Sequence, residues 1–161
     1  MAAILYVLGR DYYKRGNLQK TEEYLLKSLE MEKSFHGEIS PGAADTLHAM
    51  GIVYQKRSIL QKAEEYLLKS LEMKKSFHDE TSPSIHVAVA LHQLGSVYCA
   101  RCNIQKSEEY LLKSLEMQKS FHGESSPGVA VTLHGLGIVY QERGNLQKAE
   151  EQLTVTRHHT T

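Results

Sequence analysis

One nineteen-residue stretch occurs three times in this chain. LQKTEEYLLKSLEMEKSFH at Leu18 to His36 returns as LQKAEEYLLKSLEMKKSFH at Leu60 to His78 and as IQKSEEYLLKSLEMQKSFH at Ile104 to His122, with differences at only three of the nineteen positions. Each copy has the spacing of an amphipathic helix. A fourth begins at Leu146 as LQKAEEQL and loses the pattern after Leu153. Self-similarity at a fixed period identifies an array in which no repeat can bury its apolar face alone and each must stack on its neighbours. A length of 161 residues suits one ordinary globular domain or one short array, and the repeats decide for the array.

Aligning the copies gives four units, anchored on Leu8-Gly9-x-x-Tyr12, Met50-Gly51-x-x-Tyr54, Leu94-Gly95-x-x-Tyr98 and Leu136-Gly137-x-x-Tyr140, with glycine spacings of 42, 44 and 42. The repeats span about 2–40, 41–82, 83–126 and 127–158 within a single array over 1–161, and the last is degenerate. Each unit holds two helical patterns. The first, helix A, carries apolar residues at i, i+3 and i+7, as in Leu47, Met50 and Tyr54, with Gly51 on the same face. A glycine inside a helix costs about 1 kcal/mol against alanine. Four in register therefore predict a close approach to helix B at its small position, Thr21, Ala63, Ser107 and Ala149.

Helix A ends at a polar turn, Arg15-Gly16-Asn17 or Arg143-Gly144-Asn145, where glycine takes a left-handed C-cap and asparagine caps the next helix. Repeats two and three carry Ser58 and Cys102 in place of that glycine. Helix B ends near His36, His78 and His122; beyond it Ser40, Ser82 and Ser126 are expected as N-caps, with Pro41, Pro83 and Pro127 in the first turn of the next helix. The two extra residues of repeat three are expected within Ser84 to Leu91, as a local extension of its helix A. Strand signals are missing: no sustained alternation and no hairpin dipeptide between strand-like runs.

Lys plus Arg equal Asp plus Glu, 19 against 19, so no net positive field exists to hold a phosphate backbone or an anionic membrane, and nucleic acid is excluded as an expected partner. No apolar run approaches the roughly 18 residues of a membrane span. AAILYVL near the N-terminus falls in register with later repeats and reads as core, not as a signal peptide. A soluble, cytoplasmic protein is the expectation. Cys99 and Cys102 are the only cysteines, too few for a secreted disulfide framework.

Features that resemble chemistry have structural readings. His48, His92 and His134 occupy equivalent positions on successive A helices. Helix axes pack roughly 8–10 Å apart, whereas zinc ligands sit about 2 Å from the metal, so a shared metal site is disfavoured and no metal is expected. His36, His78 and His122 end helix B, where a histidine suits the helix dipole. Cys99-x-x-Cys102 has half a zinc site's spacing, but no second pair accompanies it. Glu22-Glu23, Glu64-Glu65, Glu108-Glu109 and Glu150-Glu151 are adjacent on a helix, diverge by about 100° and cannot face one substrate. With Glu23–Lys27, Glu65–Lys69 and Glu109–Lys113 as i, i+4 pairs, they read as solvated faces. No phosphate loop, Gly-x-Ser-x-Gly or His-Glu-x-x-His is present, so no catalytic residue, enzyme activity or cofactor is expected.

Leu-Gly-x-x-Tyr, a small residue nine positions after the tyrosine and the helix-turn-helix unit together resemble the tetratricopeptide repeat family. The 42-residue period with a proline-led loop and a long helix B is similar to the variant found in kinesin light chains and nephrocystin-type proteins. The resemblance covers Ala2 to Leu153 and implies an all-α fold, an α-solenoid of four stacked helix-turn-helix repeats in a right-handed superhelix. Two departures lengthen helix B: serine at its late small position (Ser28, Ser70, Ser114) and lysine for the usual proline (Lys33, Lys75, Lys119).

The resemblance further implies a concave surface lined by helices A that holds a peptide or helix of a protein partner. On it His48, Gln55, His92, Gln93, His134 and Gln141 offer polar contacts, Ile52 and Ile138 apolar ones, while Arg10, Lys14 and Lys56 beside Tyr13 favour an acidic segment. Histidine stands where kinesin-light-chain-like repeats commonly carry a peptide-binding asparagine. The flank containing these residues varies between copies where helix B hardly does. The alternative is a structural spacer or an array that associates end to end, favoured by near-identical B helices and by ends without a polar capping helix. Residues 152–159 put Arg157 where Leu29, Leu71 and Leu115 stood, so the last helix is expected to fray and the chain reads as part of a longer array or one with an altered C-terminus.

Overall fold

The computed structural model describes residues 1–77, 84–144, 148 and 154. Its helices are α1 (Ala2–Lys14), α2 (Leu18–His36), α3 (Pro41–Lys56), α4 (Leu60–Ser76), α5 (Ile85–Ala100), α6 (Ile104–His122) and α7 (Pro127–Glu142), and no strand occurs among the described residues. The chain divides into two compact units, Met1–Asp79 and Glu80–Thr161. In the first, α1 packs on α2, α2 on α3 and α3 on α4, and the A helices α1 and α3 also touch. In the second, α5 packs on α6 and α6 on α7, with α5 touching α7. Apart from Lys148 and Thr154, residues 145–161, which hold the fourth copy of the helix B pattern and the altered tail, lie outside the described residues, as do His78, Ser82 and Pro83.

The expected apolar stripes form the cores. Leu25, Met50, Val53 and Leu67 are fully buried in the first unit, and Leu94, Val97, Leu111, Leu136 and Val139 in the second. Each such side chain contributes about 1.5–3 kcal/mol on leaving water. The helical glycines sit at the tightest crossings. A Cβ on Gly51 would lie 2.5 Å from Leu67 Cγ and 3.3 Å from the Ala63 carbonyl oxygen, and one on Gly95 would lie 2.6 Å from Leu111 Cγ. The expected close approach is present, with a larger partner than foreseen: the leucine one turn past the small residue fills the space that glycine leaves. The small residue supplies its backbone and, in the second unit, a bond from Ser107 Oγ to the Gly95 carbonyl at 2.7 Å.

Caps follow the expected chemistry. Ser40 Oγ accepts from Ala43 N at 3.0 Å, Ser126 Oγ from Val129 N at 3.3 Å, and Asn17 and Asn103 accept from Lys20 N and Lys106 N at 3.1 and 3.2 Å. Gly16 and Gly144 take φ of 76° and 77°; Ser58 and Cys102, at their positions, are held at 60° and 59° in the same left-handed region. The long helix B is present too, with nineteen residues in α2 and α6.

One expectation is corrected. Helices α3, α5 and α7 each have sixteen residues, so the two extra residues of repeat three do not extend its helix A. They fall in the connection before Ser84, which takes the extended N-cap geometry expected of Ser82. The reason is angular: two residues inserted in a helix turn everything beyond them by about 200° and would carry Leu91 and Leu94 off the core face, whereas two more residues in a loop cost little.

Candidate peptide-binding face

In the first unit the inner flanks of α1 and α3 diverge around an open pocket of about 300 Å3. Five expected contact residues line it, Arg10, Tyr13, Lys14, His48 and Ile52, together with Tyr6 and Ala49; Thr21, Leu25 and Val53 form its floor. Helical spacing brings Tyr6, Arg10 and Tyr13 to one flank of α1, and His48 and Ile52 to one flank of α3. Two basic groups border aromatic faces, with Arg10 Cζ 5.8 Å from the Tyr6 ring and Lys56 Nζ 5.5 Å from the Tyr13 ring. Lys56 is exposed beyond the pocket lining, and Gln55 is half-buried outside it.

His48 is not the open groove residue that the histidine column suggests. Its Nδ1 is enclosed and has no hydrogen-bond partner among the described residues. Burial, reinforced by the Lys74 ammonium and opposed by Asp45, lowers its pKa to about 4, so the ring is neutral at physiological pH. Lys74, almost wholly buried, pairs with Asp45 at 3.2 Å. Burial, with the Asp45 charge second, raises the pKa of the Tyr6 phenol, which stays a neutral donor.

The second unit arranges its expected residues differently. His92 lines a shallower pocket of about 250 Å3 with Val89, Gln118, Pro127, Gly128, Val131 and Thr132. Thr132 donates its hydroxyl proton to Gln118 Oε1 at 3.2 Å, which leaves it an acceptor for His92 Nδ1 at 3.1 Å. Burial lowers the His92 pKa as well. His134, Ile138 and Gln141 are exposed and Gln93 is half-buried, none of them at this pocket. The three histidines thus have three environments rather than one repeated ladder. Cys99 is half-buried and Cys102 exposed; burial, then the Glu142 charge, raises the Cys99 pKa and keeps that thiol protonated and unreactive. Among the described residues no three His, Cys, Asp or Glu are grouped to hold a metal, and no helix is long and apolar enough to cross a membrane.

Across 1–76 and 86–156 the sequence matches the family model for the tetratricopeptide repeat. The chain belongs to the tetratricopeptide repeat family. Repeats of this family are generally protein–protein interaction modules. Solved structures agree on the fold. BtubC (BKLC) from P. vanneervenii superposes with a TM-score of 0.88 at 22% identity, over 99% of this chain and 63% of that one, so this tetratricopeptide chain spans less than two thirds of BtubC. A Podosopora anserina protein of the kinesin light chain type, built of nearly identical TPR-like repeats, gives 0.75 at 23% identity over 99% and 74%. The apo form of RapI gives 0.79 at 19% identity over 98% and 42%. At such identities the likeness concerns the fold, that of an all-helical TPR-like solenoid. No curated protein matches the sequence.

Two features of these tetratricopeptide units escaped the reading of the sequence. The first corrects the solvated-face reading of the paired carboxylates. Glu23, Glu65 and Glu109 do face solvent and pair with Lys27, Lys69 and Lys113 at 2.6–2.7 Å. Glu22 and Glu108 do not: Glu22 on α2 accepts from the Tyr54 hydroxyl on α3 and pairs with Arg57, the C-cap of that helix. Glu108 on α6 repeats this with Tyr140 and, at 2.7 Å, with Arg143. Glu22 and Glu108 thus each fasten a hairpin to the next. Its signal was the 35-residue recurrence of Glu and Arg around the Leu-Gly-x-x-Tyr tyrosine, legible only once stacking is known.

The second lies in helix B. Of its three varying positions, only the one that holds Glu32, Lys74 and Gln118 varies in charge. Lys74 and Gln118 are buried beside the two pocket histidines, while Glu32 accepts from Ser40 Oγ at 3.1 Å. Variation between copies therefore reaches residues buried near His48 and His92 as well as the flank of helix A.

Proposed function

We propose that this tetratricopeptide chain binds a protein partner by taking up an extended peptide or helix along the face lined by helices A, with an acidic segment at the α1–α3 pocket. The observation that carries the reading is that pocket: an apolar floor of Leu25 and Val53, rimmed by Arg10, Lys14 and the Tyr6 and Tyr13 rings. An apolar concavity with a few convergent polar groups is the usual form of a binding site. Basic groups held at aromatic edges favour carboxylates without needing a net positive protein. His48 contributes a neutral ring edge, and Ile52 apolar contact. Gln55, Lys56, Gln93, His134, Ile138 and Gln141 are assigned to further ligand contacts along the same helices.

The test is a peptide array of matched acidic, neutral and basic sequences, probed with wild type and with the double variant Arg10→Glu, Lys14→Glu. Both side chains are exposed, so the fold is retained. Wild type should prefer acidic peptides, increasingly so at low salt, and the double variant should reverse that order. Identical binding profiles for the two proteins would refute the reading.

A further inference from the structure

Beneath the pocket that His92 lines runs a chain of four hydrogen bonds whose direction is fixed from one end. Ser114 Oγ lies 2.7 Å from the Ala88 carbonyl, which can only accept, so the serine proton is committed there. Gln118 must then turn its amide nitrogen to Ser114 Oγ, at 2.9 Å, and its carbonyl Oε1 to Thr132, at 3.2 Å. Gly128 leaves the room, since a Cβ there would lie 3.0 Å from that Oε1. Thr132 gives its one hydroxyl proton to Gln118, so toward His92, at 3.1 Å, it accepts, and His92 Nδ1 donates. Burial lowers the pKa of His92 and keeps the ring neutral, with a single ring proton, so its Nε2 carries a lone pair. Gly135 of α7 sets no side chain over that edge of the ring, where a Cβ would come within 3.9 Å of Cε1. His48, whose Nδ1 is enclosed without a partner among the described residues, has no such relay.

No other residue lining this pocket is ionisable, and Val89 and Val131 stand at it 44% and 56% exposed. A cation taken up there would lose water without gaining a counter-charge, and a carboxylate would set its lone pairs against that of Nε2. We infer that the pocket takes a carboxamide side chain, that of glutamine, from the bound segment, its amide N–H donating to His92 Nε2 and its methylene stem resting on Val89 and Val131. A carboxamide suits a shallow pocket because its polarity is confined to the tip of a flexible stem and its carbonyl stays in water at the open mouth. The pocket of the first unit, rimmed by Arg10 and Lys14, selects the opposite polarity. This inference rests on the reading that the A helices take up a partner's segment. The two fail separately, because Arg10→Glu, Lys14→Glu should abolish the acidic preference and leave the glutamine preference as it was.

The tautomer is read directly in the full chain with isotope-labelled histidine, where long-range proton–nitrogen correlation separates the two neutral forms and the signals missing from His92→Gln identify His92. We expect the proton on Nδ1 at neutral pH, and a shift toward Nε2 in Thr132→Val. Binding is read with peptide pools in which one central residue is Gln, Glu, Lys, Met, Ser or Trp between randomised uncharged positions, captured on the immobilised full chain. The Gln pool should be retained roughly fivefold better than the Glu or Met pool, as one net hydrogen bond allows. Thr132→Val should erase that ratio and Thr132→Ser, which keeps the hydroxyl, should preserve it, with circular dichroism checking helix content in both. A wild-type His92 protonated on Nε2, any other pool retained as well as the Gln pool, no retention at all, or wild-type ratios in a folded Thr132→Val chain would each overturn the inference. The tautomer and the pool ratios of the wild type decide even where Thr132→Val fails to fold.

Discussion

Ser58 and Cys102 are L-residues held at φ of 60° and 59° where the other two turns use glycine. For an L-residue the left-handed conformation crowds Cβ against the carbonyl and costs about 1–2 kcal/mol, partly offset because glycine has more freedom to lose on folding. Ser58→Gly and Cys102→Gly should each raise the thermal midpoint, by about 2 °C at roughly 0.5–1 kcal/mol, and Gly16→Ser should lower it by a similar amount. Thermal unfolding followed by circular dichroism checks all three; a midpoint lowered by either glycine would mean that the native side chain makes a contact worth more than the strain. The position was readable from alignment of the copies, since a turn that needs glycine twice needs its conformation four times.

Between elements, adjacent identical residues separate by environment. Glu22 is one-quarter exposed and bound to Tyr54 and Arg57 of the next hairpin, whereas Glu23 is more than half exposed and bound to Lys27 of its own helix. Removing a partly buried acceptor strands the groups that it satisfied, at about 1–3 kcal/mol, while an exposed i, i+4 pair is worth a few tenths. Glu22→Ala should therefore destabilise the chain by about 1–3 kcal/mol and Glu23→Ala by well under 1 kcal/mol, as read from urea midpoints. Comparable losses for the two would remove the inter-hairpin clamp from the account. Burial and then the glutamate bond raise the pKa of both Tyr54 and Tyr140, keeping each phenol a donor. Ser28, Ser70 and Ser114 carry a second recurrent bond, from Oγ to the carbonyls of Ala2, Ala44 and Ala88 at 2.7–2.9 Å, which ties helix B to helix A within each hairpin. A late small residue in helix B was legible; that it is serine because a carbonyl lies within reach was not, since the acceptor is 26 residues away in the chain.

For the molecule as a whole, each unit contains one A-helix histidine whose proton affinity burial has lowered, His48 to about pKa 4 and His92 in the same direction. An unfolded histidine titrates near pH 6.5. Between that pH and about 4 the unfolded chain binds more protons than the folded one at His48, so this contribution to stability is complete above about pH 6.5 and is lost as pH falls through that window. The thermal midpoint should fall on acidification from pH 7 to 4, and the double variant His48→Gln, His92→Gln should flatten the dependence. An unchanged slope in that variant would place the acid sensitivity elsewhere. Fold class, core stripes and the caps at Asn17, Ser40, Asn103 and Ser126 were determined by the sequence, because periodicity and turn chemistry are local; the cap of repeat three, Ser84 in place of Ser82, was not. Tertiary structure alone decided which of two neighbouring glutamates faces the next hairpin, that His48 and His92 are shielded while His134 is exposed, and that Lys74 and Gln118 of helix B are buried near those two histidines. Those outcomes depend on how helices distant in sequence pack, and packing sets solvent exposure and charge proximity that no single helical period encodes.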